Sequence, residues 1–160
     1  MKSILVIMSM LYSFMAEAQV NKVILQASGL TCSMCSNSIN KALKSLDFVA
    51  AVDADIKTYS FEISFKANSN VDFDLIRKKV EGAGFGVSAF YAYVSFSNVL
   101  VKAGEPIAVQ DKTFLFVNAG DQALNGDKRV KIIDKGFVSI KEYKQNNYVT
   151  PSSQTYHVTL

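Results

Sequence analysis

Apolar and polar positions along the first hundred residues switch between a period of two and a period near 3.6. Val23, Leu25 and Ala27 alternate with Ile24, Gln26 and Ser28, which predicts a first strand. From about Ser36 to Leu46 the apolar residues are Ile39, Ala42, Leu43 and Leu46, the i, i+3, i+4, i+7 stripe of an amphipathic helix. Val49 to Ile56 reads as a second strand. Tyr59, Phe61, Ile63 and Phe65 then alternate with Ser60, Glu62, Ser64 and Lys66, the cleanest strand pattern in the chain. Asp72 is placed to cap a second helix that buries Phe73, Ile76 and Val80, with Gly82 and Gly84 to end it. Val87 to Phe96 predicts a fourth strand. The order is βαββαβ, an α+β ferredoxin-like sandwich of an antiparallel sheet and two helices.

Residues 97–160 read differently. They hold Pro106 and Pro151 and carry no strong helical stripe. Thr113–Val117, Arg129–Ile133, Phe137–Ile140 and Tyr156–Leu160 predict short strands, with Gly120-Asp121 and Asn125-Gly126 as turns. The expectation is a small β-rich domain, or else an extension packed on the first sheet. Residues 19–96, with six elements of their own, are expected to fold alone.

The N-terminus alters the composition that matters. Lys2, the apolar run Ile4 to Met15 and Ala16-Glu17-Ala18 predict a signal peptide over residues 1–18, and hence a secreted protein, expected in the periplasm. The run is short of the about 20 residues of a membrane span, so the mature chain is expected to have none. Of the five methionines, Met1, Met8, Met10 and Met15 lie in this segment and only Met34 outlasts it. The net charge of +3 is weak and scattered, which gives no case for nucleic acid. Lys78-Lys79 and Lys128-Arg129 read as solvated faces.

The candidate chemistry lies in Gly29-Leu30-Thr31-Cys32-Ser33-Met34-Cys35, between the first strand and the first helix. It holds both cysteines of the chain. Two thiols at that spacing can close on one soft ion or on each other. A disulfide across so short a loop would remove little unfolded-state entropy, so stability is a poor reason for the pair. The start of a helix stabilises a nearby thiolate through its unpaired N–H groups and dipole. Two thiolates suit Cu(I), with Hg(II) possible, whereas Zn(II) prefers four ligands and is weaker here. Met34 offers a thioether, or else fills space by the loop.

On this motif and element order, residues 22 to about 95 resemble a heavy-metal-associated domain, the family of copper chaperones, N-terminal modules of copper ATPases and periplasmic mercury-binding proteins. The resemblance implies that Cys32 and Cys35 are the metal ligands. Thr31, Met34 and Phe85 are candidates to surround them. The family usually has Met where this chain has Leu30, which should serve as an apolar anchor. The resemblance also implies that Gly84-Phe85-Gly86 lies near the metal. Cytosolic chaperones tend to place Lys there, so Phe85 looks more like the ATPase modules and mercury proteins.

The expected function is soft-metal binding through this loop, for transfer to a thiol-bearing partner protein or for sequestration, without catalysis. Two alternatives compete. A thiol–disulfide redox protein would use the same two cysteines, but here they follow the first strand and no aromatic precedes Cys32. A structural or interaction module with a vestigial metal site would use the aromatic strand Tyr59 to Phe65 and the cluster of Tyr91, Tyr93 and Phe96 as an interface, where a core role is the more common one. The single histidine, His157, reads as a strand residue, and no nucleophile elbow is present. Gly82 to Gly86 follows a helix and precedes a strand, the reverse of a dinucleotide fingerprint.

Overall fold

The computed structural model describes residues 18–30, 33–146 and 154–160. Residues 1–17, most of the expected signal peptide, lie outside that range, as do Thr31 and Cys32. β1 spans Ala18–Ser28, α1 Ser33–Lys44, β2 Val49–Asp55, β3 Ser60–Phe65, α2 Phe73–Gly82 and β4 Gly86–Val101. β1 pairs antiparallel with both β3 and β4, and β2 closes the edge on β3, which is the ferredoxin-like order β2-β3-β1-β4.

The alternation of the first strand is realised in its burial. Val23, Leu25 and Ala27 face the core, as do Phe61 and Ile63 on β3. α1 turns Ile39 and Leu43 inward and α2 turns Phe73, Ile76 and Val80 inward. The Asp72 carboxylate accepts a hydrogen bond from the backbone N of Leu75 at 3.0 Å, satisfying a donor that the first turn of α2 leaves without a helical partner.

Residues 97–160 do not form a separate β-rich domain. β5 (Pro106–Val109), β6 (Lys112–Phe116), β7 (Gln122–Ile132) and β8 (Thr155–Thr159) extend the same sheet to eight strands, in the order β2-β3-β1-β4-β7-β8-β6-β5. The expected boundary at residue 96 falls inside β4, which continues to Val101 and pairs with β7 from Tyr91↔Lys131 to Val101↔Gln122. β6 and β8 run parallel; the other paired strands are antiparallel.

Two local readings need correction. Asn125-Gly126 is not a turn: both residues lie within β7, and Gly126, at φ +72°, pairs with Phe96. Opposite them β4 carries one extra residue between Phe96 and Val99, with Asn98 at φ +50°. A bulge calls for the same left-handed residues as a tight turn, so the local chemistry fits both. Phe137–Ile140 is not a strand. Lys135 and Val138 make an isolated bridge, and Ile140 begins the short helix α3 (Ile140–Asn146). Ser139 caps it, its Oγ accepting from the Glu142 N at 3.2 Å.

One core runs through both halves. Phe73 of α2 lies 5.2 Å, centroid to centroid, from Phe90 of β4 and 5.3 Å from Tyr156 of β8. Phe137 meets Phe90 at 5.1 Å, close to edge-on. The C-terminal strands therefore complete the packing around α2. Polar contacts follow the same seam: the Tyr156 hydroxyl donates to Asp74 at 3.0 Å, and the Arg77 guanidinium lies over the Phe137 ring. Burial and the Asp74 carboxylate hold the Tyr156 phenol protonated well above its usual range.

Candidate metal centre

The site is built where β1 hands over to α1. Ser28 closes the last pair of β1, opposite Gly86. Gly29 then adopts φ +84°, a left-handed conformation that costs a residue with a Cβ, and so redirects the chain off the sheet. Leu30 follows at 9% exposure, an apolar anchor in the core. Cys35 comes up in the first turn of α1. It is partly buried and packs against the core.

The turn between α2 and β4 arrives at the same place. Gly84, at φ +91°, breaks the helix, and the Phe85 N donates to the Val80 carbonyl at 3.2 Å. A Cβ on Gly86 would lie 2.7 Å from the Ser28 hydroxyl, so a larger residue there requires the Ser28 side chain to shift. Phe85 is thereby set against Gly29: a Cβ on Gly29 would touch its Cδ1 at 4.0 Å. The ring is partly buried and packs on the core, bordering Gly29 with an uncharged aromatic edge.

The other candidates separate. Met34 is 80% exposed and does not pack beneath the loop. Thr31 and Cys32 lie outside the described residues. His157 sits on β8, where its Nδ1 faces the Asp134 Oδ1 at 2.8 Å. Among the described residues no group of three or more His, Cys, Asp or Glu is placed to hold a metal ion. Among the described residues at this corner, Met34 and Cys35 offer sulfur, and the first turn of α1 holds no acidic residue. That set fits a soft ion of low coordination and not a hard one.

Sequence pattern alone singled out no role for Ser36. It is 4% exposed beside Cys35, and among the described residues its Oγ has no hydrogen-bond partner. The available clue is its spacing, on the same inward stripe as Ile39 and Leu43.

Comparison with known proteins agrees with this geometry. The model of the heavy-metal-associated domain matches residues 24–86, the segment from β1 to the first residue of β4. Residues 24–86 are a heavy-metal-associated domain. The chain is 34% identical over 76 residues to a probable copper-transporting ATPase of Arabidopsis thaliana, and 36% identical over 70 residues to a probable copper-exporting P-type ATPase of Archaeoglobus fulgidus. Those alignments cover 48% and 44% of this chain but only 8% and 9% of the relatives. Among solved structures, the yeast copper transporter domain Ccc2a is 34% identical, covering 41% of this chain and 88% of that one, with a TM-score of 0.37. Oxidized MerP from Ralstonia metallidurans is 26% identical, covering 43% and 94%, with a TM-score of 0.39.

Proposed function

We propose that this protein binds one soft metal ion, Cu(I) by preference, between Cys32 and Cys35, and carries it to a thiol-bearing acceptor protein or sequesters it. The observation that carries the reading is the pairing of a two-cysteine segment with the β1–α1 corner of a heavy-metal-associated domain. The relatives named as copper-transporting ATPases support copper over mercury.

In this reading the chain's own residues divide the work. The Gly29 turn and the Leu30 anchor hold the segment at the end of the sheet. The start of α1 offsets the negative charge of a dithiolate complex through the positive end of the helix dipole. Phe85 limits water access on one side and adds no charge. A site of two thiolates lets an incoming thiolate attack the ion before the old ligands leave, which suits a carrier more than a catalyst. The Ile4–Met15 run and the Ala16-Glu17-Ala18 pattern support export from the cytoplasm, where a reduced cysteine pair would be the condition for loading.

The test is competition binding of Cu(I), Hg(II) and Zn(II) by the reduced protein, repeated with Cys32→Ser and Cys35→Ser. One Cu(I) per chain is expected, lost in either variant with the fold retained. Undiminished Cu(I) retention in the double variant would refute the assignment.

A further inference from the structure

The two sulfur-bearing residues described at the site differ in their access to solvent. Met34 is 80% exposed, while its neighbour Cys35 is partly buried and packed against the core. Met34 is also the only methionine beyond residue 15. A large apolar side chain held in water gains nothing from burial there. Its chemistry is that of a soft, neutral thioether on a flexible, unbranched arm. Consecutive residues on a helix are set about 100° apart, so Met34 and Cys35 lie on neighbouring flanks of the first turn of α1.

From this contrast we infer that Met34 is the entry ligand for Cu(I), taking the ion from solvent or from a donor before the cysteines hold it. The inference rests on the metal-binding reading above and adds a step to it. In the first step a Cu–Sδ bond to Met34 forms as a donor ligand leaves. In the second a Cu–Sγ bond to a cysteine forms while the Cu–Sδ bond breaks. A protonated thiol releases its proton to solvent in that exchange. Copper stays Cu(I) throughout and no electron moves. A neutral thioether holds the ion less firmly than a thiolate, so the exchange runs from the exposed sulfur towards the buried one.

The experiment is anaerobic loading of the reduced full chain from a chromophoric Cu(I) chelator, comparing wild type with Met34→Leu. Leucine keeps the apolar bulk and the helix propensity, so a contact or folding role would leave loading unchanged. The expected result is a loading rate lower by roughly threefold or more, with the Cu(I) held at equilibrium within about twofold of wild type. A Met34→Leu protein that loads at the wild-type rate overturns the inference. So does one that loads normally but holds Cu(I) less tightly at equilibrium, since Met34 would then be a resident ligand. Wild type that takes up no Cu(I) is a different failure, which removes the metal-binding reading itself and this step with it.

Discussion

Both carboxylate oxygens of Asp134 face His157: Oδ2 accepts from its backbone N at 2.8 Å, and Oδ1 lies 2.8 Å from its ring Nδ1. Asp134 is 1% exposed at the end of β7, so this contact ties the loop after β7 to β8. Burial raises the pKa of this carboxyl above the ordinary value, more than the His157 hydrogen bonds lower it.

A pH dependence follows, with a definite sign. A raised folded-state pKa means that the folded chain holds this proton more tightly than the unfolded chain. The stability it contributes is full below the ordinary aspartate value and is lost as pH rises through the raised one. Asp134→Asn cannot ionise. The stability of wild type minus that of the variant is therefore expected to fall as pH rises through this window. Urea midpoints measured from about pH 3 to about pH 7 check it, and a difference that does not move with pH would count against it.

Phe114 tests whether the two halves are one unit. It is fully buried on β6, 6.4 Å from Phe73 of α2 and 6.3 Å from Tyr156. Phe114→Ala is expected to cost about 3–5 kcal/mol and to lower a single unfolding transition seen alike by helix and aromatic probes. Cutting the chain after Phe96 removes Phe114, Phe137 and Tyr156 together and uncovers Phe73 and Phe90. The fragment is expected to be unfolded or molten by near-ultraviolet circular dichroism, contrary to the independent folding that its six elements suggest. Two separate transitions in the full chain would show independent halves after all.

Phe85 is only partly buried, so its removal should cost less than that of a core phenylalanine. Phe85→Ala is expected to destabilise the protein by about 1–2 kcal/mol and to speed Cu(I) release to a dithiol competitor. Measuring the off-rate and the denaturant midpoint on one sample separates the two effects. A loss of stability with an unchanged off-rate would make Phe85 a packing residue alone.

Ser36 has a buried hydroxyl with no partner among the described residues, which carries a desolvation cost in the folded state. Replacing it with alanine removes that cost and adds helix propensity. Ser36→Ala is expected to leave stability unchanged or raise it by up to about 1 kcal/mol. A thermal melt decides it, and a clearly destabilised variant would mean that the hydroxyl has found an acceptor in solution.

Much of residues 18–96 was legible from local pattern. The strand of Phe61 and Ile63, the helix faces of Ile39 and Leu43 and of Phe73, Ile76 and Val80, and the Asp72 cap all follow from spacing and short-range chemistry, because a residue's face is set by its period. The cysteine spacing, between the first strand and the first helix, was legible in the same way. Beyond Phe96 the same tools misread the chain. Asn125-Gly126 reports backbone angles that a bulge and a turn share, and nothing local tells which strand lies opposite.

The sequence by itself determined the alternation of strands and helices, the soft-donor character of the Cys32–Cys35 segment and the glycines that bend the chain around it. Only the tertiary structure decided that β4 continues past Phe96 to seat β7, that Phe85 borders Gly29, and that Met34 faces solvent while Cys35 packs inward. The physical reason is range. Periodicity, caps and turns depend on neighbours within a few residues, whereas strand partners and side-chain exposure depend on which distant apolar surfaces must cover one another, as Phe73 of α2 is covered by Phe90, Phe114 and Tyr156.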